Sequence, residues 1–252
     1  MNTILVNVLT HGDELVGKRV ADEIRRRYGF LIGRGLDIQI ANQRAYSEGK
    51  RCIDRDLNRS FPGIQNGSYE EARAFELVPI ISSYEVVVDI HSTESGAGDI
   101  IIVTKLDDRT RLILESLAPR YVLFMNIKPD NALISCAQVG IALEMGSDKD
   151  VDTYHKSLKG VECLLAFLGY IPEKPSFGFS TEYYEVFSQV LKPAGAQLQS
   201  HVKNFNIVKT DEVFAVDKNG DPIKAEQDFY PVIFGNSNYE TIFGFASRKL
   251  TL

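Results

Sequence analysis

The sequence is poor in thiols, in long apolar runs and in positive charge, and each shortage narrows what the chain can be. Its three cysteines, Cys52, Cys136 and Cys163, are odd in number, far apart and in no CxxC spacing. That argues against a disulfide framework and a thiolate metal cage, and for a reducing cytoplasm. No stretch approaches the ~18 apolar residues of a membrane-spanning helix, and the run CLLAFLGYI is only half that long. The first residues show no basic region followed by an apolar one and a cleavage site, so a soluble cytoplasmic protein with no membrane partner is expected. Acidic residues outnumber basic ones by 34 to 28, a net charge of −6, which disfavours a nucleic-acid partner. The short run Arg25 to Arg27 closes a helical pattern, where it complements the helix dipole.

What is present is the balance of an ordinary globular protein, with 44% hydrophobic and 25% charged residues. The length, 252 residues, suits one large domain or a domain with a smaller companion. Short β-branched runs read as buried strands: TILVNVL at 3–9, LDIQIA at 36–41, EVVVDI at 85–90, DIIIVT at 99–104, YVLFMNI at 121–127 and QVGIALEM at 138–145. Between them lie helical patterns. ELVGKRVADEIRRRY places Val16, Val20 and Ile24 on one face, YEEARAFELV ends near Pro79, and DRTRLILESLA and TYHKSLKGVECLLAFLGY follow. Alternating strands and helices make an α/β protein around a parallel or mixed sheet. The pattern breaks at IPEKPSFGF, 171–179, and short strand-like runs follow: EYYEVFS, NIVKTDEVFAV, FYPVIF and YETIFGF. KNGD at 218–221 is a hairpin turn without the spacing of a calcium loop. The expected division is therefore 1–170, an α/β domain, and 171–252, a smaller β-rich domain.

With only four histidines, each can be asked what it does. His11 and Glu14, in THGDELVG, stand three apart after the first strand, a spacing that faces both one way in the first turn of a helix. His91 ends VVVDIHST, at the carboxyl edge of another strand, the edge where open α/β sheets bind ligands. His11, Glu14 and His91 together make a three-ligand zinc site with a fourth position open, the composition of a catalytic rather than a structural site. Alone, the His11–Glu14 pair reads better as a helix cap; the second strand-end histidine reverses that. His155 and His201 lack such a setting and read as surface or packing residues. Asp89 shares the strand face of His91 and is either a partner for its imidazole or a buried structural carboxylate.

RCIDRDLNRSFPG, 51–63, brings Arg51, Asn58 and Arg59 together. Guanidinium matches carboxylate bidentately, so the loop can hold an anionic substrate, and one arginine near a metal can stabilise an oxyanion. The alternative is mutual neutralisation among Arg51, Asp54, Arg55, Asp56 and Arg59. Glu144 sits near the end of the apolar strand in VGIALEMGS. An ionised carboxylate is costly to bury unpaired, and apolar surroundings raise its pKa into the range of a general base; a salt bridge at the sheet edge is the competing reading.

THGDELVG, DLNRSFPG, VVVDIHST and GIALEMG, in this order and spacing, resemble the aspartoacylase and succinylglutamate desuccinylase family of the zinc-carboxypeptidase-like fold. YPVIFGNSNYE and the closing KLTL resemble the C-terminal domain of its aspartoacylase branch, so the resemblance spans nearly the whole chain. It implies a zinc-carboxypeptidase-like mixed sheet flanked by helices, with the β-rich domain narrowing the entrance. It implies one Zn2+ per chain on His11, Glu14 and His91, and Glu144 as general base and acid. It further implies that Arg51 polarises the scissile carbonyl, that Asn58 and Arg59 hold the substrate's α-carboxylate, and that Tyr239 closes the site.

The expected activity is zinc-dependent hydrolysis of a small N-acyl amino acid, such as N-acetylaspartate, to a carboxylate and a free amino acid. A metallocarboxypeptidase acting on small peptides and a non-catalytic carboxylate-binding zinc protein are the rivals. One departure bears on substrate. Resemblance to aspartoacylases implies an arginine shortly before the glutamate, to read an acidic side chain, and NALISCAQVGIAL, 131–143, has no cation; the nearest is Lys128. Neutral or aromatic N-acyl amino acids are therefore expected to compete well with N-acetylaspartate. A homo-oligomer is left open.

Overall fold

The computed structural model describes residues 3–127, 131–237 and 239–251. Its first half alternates as the apolar runs require: β1 (Ile4–Val8), α1 (Leu15–Tyr28), β2 (Leu36–Ile40), α2 (Gln43–Ser47), α3 (Tyr69–Ile81), β3 (Val86–His91), β4 (Ile100–Val103), α4 (Asp108–Leu117), β5 (Tyr121–Met125), β6 (Val139–Glu144) and α5 (Val151–Phe167). The helix expected to stop near Pro79 continues to Ile81. The proline lies on an exposed flank in the last turn, so the donor it lacks takes nothing from the buried face.

The second half is strand: β7 (Glu182–Leu191), β8 (Gln197–Leu198), β9 (Val213–Val216), β10 (Pro222–Lys224), β11 (Tyr230–Val232) and β12 (Ile242–Leu250). β9 and β10 pair antiparallel around the turn that KNGD predicts. The long run 206–216 yields a strand only at its end, and the last strand extends beyond YETIFGF to Leu250.

Nine strands form one mixed sheet in the order β11-β12-β7-β5-β4-β6-β3-β1-β2, and β10-β9-β8 form a small antiparallel one. β2, β1, β3 and β6 run parallel to one another, and the antiparallel pairing of β4 with β6 reverses the direction for β4, β5 and β7. The C-terminal segment is thus joined to the large sheet through β7 rather than standing wholly apart.

One face of the sheet packs Val6, Val8, Val88, Ile90, Ile141 and Leu143 against α1, α4 and α5. The other divides. Leu5, Val87 and Ala142 pack under α3 with Leu57 and Phe61, whereas Ile100, Leu123 and Val186 pack against Val232 and Phe245 near the far end. The functional cavity opens between these two clusters, at the strand ends that carry His91 and Glu144.

Candidate active site

His11 and His91 are brought together by strand pairing. β1 and β3 are parallel neighbours, with Val8 beside Ile90, so the residues that follow each strand leave the sheet at one edge. His11 does not lie in the first turn of α1 as its spacing suggested. It sits in a turn before the helix, with the Glu14 N–H donating to the His11 carbonyl at 3.2 Å and Glu14 occupying the N-cap. Gly12 makes this turn possible: a Cβ there would lie 2.3 to 2.5 Å from backbone atoms of Ala45, Tyr46 and Lys50. That close approach sets the Gly12 N–H on the Arg51 carbonyl at 3.0 Å and joins the two motifs in space.

His11, Glu14 and His91 are all buried, and one donor atom from each lies within 4.8 Å of the others. Nδ1 of His11 is 2.6 Å from Glu14 Oε1, and Nδ1 of His91 is 3.1 Å from Oε2. Each ring turns its Nε2 to a carboxylate, His91 to Asp89 Oδ2 at 2.8 Å and His11 to Asp56 Oδ1 at 3.0 Å. Arg51 Nη2 also approaches His11 Nε2, at 2.9 Å, but only the carboxylate can accept the ring proton. When the rings are neutral and carry their proton on Nε2, the two Nδ1 lone pairs face the oxygens of Glu14. Lone pair against lone pair is repulsive, and a cation among them removes the conflict. The donor set therefore fits a metal, and the outer carboxylates are the partners that metal-binding imidazoles ordinarily have.

The electrostatics agree. Burial disfavours a charged imidazole, yet Asp89 and Glu14 outweigh it and hold His91 well above its ordinary pKa. His11 is raised more modestly, burial being overcome by Glu14 and Asp56. For Glu14 burial acts upward, and the two histidines pull it well below the usual carboxylate range. The site is one that seeks positive charge.

Glu144 is different in kind. It pairs in register with His91 across β3 and β6. Its Oε2 is buried with no hydrogen-bond partner among the described residues. Burial is the main reason its pKa climbs to about 7, His91 opposing and Glu14 assisting the rise. The salt bridge offered as an alternative is absent among the described residues.

Arg51 donates to Glu14 Oε1 at 3.1 Å and stands 3.4 Å from Asp56, so it points into the site while remaining half-exposed. Asn58 accepts the Leu133 N–H on Oδ1 at 2.9 Å, which leaves its amide NH2 for a ligand. Arg59 also lines the cavity, as does Tyr239, whose pKa burial and Glu144 push up to about 12. All eight residues singled out from sequence thus meet at one cavity of about 500 Å³. His155 and His201 lie away from it and are exposed. Lys128 falls outside the described residues.

Sequence reasoning missed several groups. Asp56 appeared only as a surface charge, although two residues after it stands the anchoring Asn58. Asn7 and Thr10 hold Asp89, donating to its Oδ1 at 2.7 and 2.8 Å. A buried asparagine inside ILVNV was the available signal. Lys149 lines the cavity as well, 3.6 Å from Glu94 at the mouth. The rest of the lining is mostly apolar, with Ile102, Met125, Ile127, Ile134, Ala142 and Phe245 beside the polar Thr104 and Gln189.

An open cavity with a buried triad that could hold a metal and an unpaired carboxylate beside it has the form of an enzyme's site rather than of a closed structural metal cage. The chain belongs to the succinylglutamate desuccinylase/aspartoacylase family, whose catalytic-domain model matches residues 1–168. It is 29% identical to an N-acyl-aromatic-L-amino acid amidohydrolase (carboxylate-forming) of Xenopus laevis, over 91% of this chain and 88% of that one. It is also 29% identical to a probable aspartoacylase of Prochlorococcus marinus, over 58% of this chain and 54% of that protein. In fold it is similar to murine aminoacylase 3, with a TM-score of 0.82 at 19% identity, covering 99% and 95% of the two chains. Succinylglutamate desuccinylase from Vibrio parahaemolyticus is similar too, with a TM-score of 0.74 at 18% identity over 100% of this chain and 82% of that one. Among the described residues no helix is long and apolar enough to cross a membrane.

Proposed function

We propose that the protein is a zinc-dependent amidohydrolase that cleaves an N-acyl amino acid into a carboxylate and a free amino acid, and that its substrates carry neutral or aromatic side chains. The observation that carries the reading is the unpaired Glu144 carboxylate beside the His11, Glu14 and His91 cluster. A binding protein has no use for a buried base.

His11, Glu14 and His91 would hold one zinc ion, which when bound acts as a Lewis acid toward the acyl carbonyl and acidifies water. Glu144 then takes a proton from the attacking water and returns it to the departing amine nitrogen, a double role that a pKa displaced toward neutrality supports. Arg51 donates to the carbonyl oxygen as it gains negative charge. The free amide of Asn58 and the guanidinium of Arg59 hold the α-carboxylate. Tyr239, with Ser237, Ile233 and Phe245, closes the cavity from the C-terminal segment, and we take 171–252 as a capping unit on a catalytic unit, 1–170.

The side-chain preference rests on the apolar wall. A second carboxylate placed against Ile102, Ile134 and Ala142 would be buried without a partner, at a cost of several kcal/mol. The Xenopus relative's name, which specifies aromatic amino acids, agrees with that wall. The three cysteines, none of them in a disulfide, suit the reducing cytoplasm in which we place the protein.

The test is a panel of N-acetyl amino acids given to zinc-loaded protein, with release of free amino acid as the readout and a chelator as control. Turnover abolished by chelation and restored by zinc is expected. Hydrolysis of a blocked dipeptide with no hydrolysis of any simple N-acyl amino acid would replace the reading by a carboxypeptidase.

A further inference from the structure

The loop that carries Arg51 is gripped by a carboxylate that the chemistry above does not use. Glu70, in the first turn of α3, is fully buried. Its Oε1 accepts the Ile53 N–H at 2.6 Å and the Asn42 side-chain amide at 3.2 Å. Its Oε2 accepts the Asp54 N–H at 2.9 Å and the Arg55 N–H at 3.2 Å. Three successive backbone donors close on one side chain, as a backbone nest closes on an anion. The chain returns one bond, the Asp54 carboxylate accepting the Tyr69 N–H at 2.8 Å.

Residues 51–56 have no helix or strand of their own, so these bonds replace the ladder that would otherwise fix the backbone. Arg51 stands at one end of the gripped segment and Asp56 at the other, and each contacts His11 Nε2. The α3 N-terminus adds a favourable field for the Glu70 charge.

We propose that Glu70 is the positioning residue for Arg51, fixing the loop so that the guanidinium meets the reacting carbonyl; this rests on the deacylase reading. Glu70→Gln preserves the shape but replaces one oxygen by an NH2 group, which then faces backbone donors. The loop must shift to relieve that conflict, and Arg51 shifts with it. Displacements of about an ångström cost up to ~100-fold in rate.

The proposal is tested by a double-mutant cycle on the zinc-loaded enzyme, with a substrate from the panel. Glu70→Gln should lower kcat by ~10- to ~100-fold with KM nearly unchanged. In an Arg51→Ala background the same substitution should cost less than ~2-fold, because the residue through which it acts is gone. Equal losses in both backgrounds would overturn the proposal and leave Glu70 a support of the fold alone. A second readout needs no turnover: phenylglyoxal modification of Arg51, followed by peptide mass spectrometry, should quicken several-fold in Glu70→Gln, with exposed Arg19 unchanged. An unchanged rate at Arg51 overturns the proposal. Should the wild type hydrolyse no N-acyl amino acid, the deacylase reading fails separately, and the modification rate still decides whether Glu70 holds Arg51. If Glu70→Gln does not fold, Asn42→Ser carries the test. Serine keeps an oxygen to cap α2 and removes one donor to Glu70, so a smaller rise in Arg51 modification is expected; none overturns the proposal.

Discussion

On one wall of the cavity nearly every polar atom has a partner; on the other there are few polar atoms to satisfy. The first wall is built at the ends of β1, β3 and β6 and in the turns after them. Its histidines are each held between two carboxylates, and one of those, Asp89, is held in turn by Asn7 and Thr10. The second wall is gathered from β4, β5, β12, Ala142 of β6 and the segments between strands, and its side chains are mostly apolar, Thr104 and Gln189 apart. The contrast separates two tasks. Reaction chemistry needs fixed proton positions and hence a rigid network, whereas selection by an apolar surface needs only shape. Glu144 stands where the walls meet, polar like the first and unpartnered like the second.

The severest way to break the first wall is to remove a proposed metal ligand. His91→Ala should reduce bound zinc from about one per chain to near none, and turnover should vanish with it. His155→Ala, on the exposed face of α5, should retain full zinc. Metal analysis by mass spectrometry decides this, and full occupancy in His91→Ala would end the assignment.

Next in size is Glu144→Gln, which preserves shape and removes the proposed base. A fall in kcat of at least ~100-fold is expected, with zinc content and KM little changed. Retained activity together with a lower Tm would make Glu144 a structural group. The same variant sharpens the comparison in metal-free protein. Burial raises the Glu144 pKa from the ordinary carboxylate range to about 7. A raised pKa means the folded state binds the proton more tightly, so this contribution to stability is complete below pH ~4.5 and is lost as pH rises through about 7. Thermal melts of the metal-free proteins should therefore show the wild type losing stability relative to Glu144→Gln between pH 5 and 8 (roughly the window these pKa values set). A difference in Tm that stays flat over that window would contradict the assigned shift.

The two walls were not equally open to sequence reasoning. His11, Glu14 and His91 could be placed together because residues ending adjacent parallel strands share an edge, and strand ends are readable from local apolar runs. Glu144 was readable because a carboxylate inside VGIALEMGS contradicts its surroundings. Asp56 and Glu70 were not, since both look like members of a charged surface loop until the fold buries them against backbone donors. Nor was the joining of β7, β12 and β11 to the large sheet, because the β5–β7 pairing links residues some sixty positions apart and nothing local encodes it. The apolar wall inherits that difficulty: Phe245 reaches the cavity that Ala142 also lines only because those strands pair as they do.

The smallest effect concerns Lys149, and it bears on the second wall directly. The stretch before Glu144 offers no cation to read an acidic side chain, yet the structure places Lys149 on the cavity's rim. Its side chain is 85% exposed and only loosely paired with Glu94 at 3.6 Å. A charge so exposed is screened by water and salt, and such pairs are worth ~0–1 kcal/mol, at most a few-fold in selectivity. Burying a second carboxylate against the apolar wall costs several kcal/mol, which Lys149 cannot offset. The kcat/KM for N-acetylphenylalanine should therefore exceed that for N-acetylaspartate by at least ~10-fold, a modest share of that penalty. Lys149→Ala should change the ratio by less than ~5-fold, and raising the salt concentration should imitate the mutation. If N-acetylaspartate is instead preferred and Lys149→Ala abolishes that preference, the rim charge governs selection and the apolar wall does not. If the preference for aspartate survives the mutation, a different cation reads the side chain, and Lys128→Ala is the variant to measure beside it.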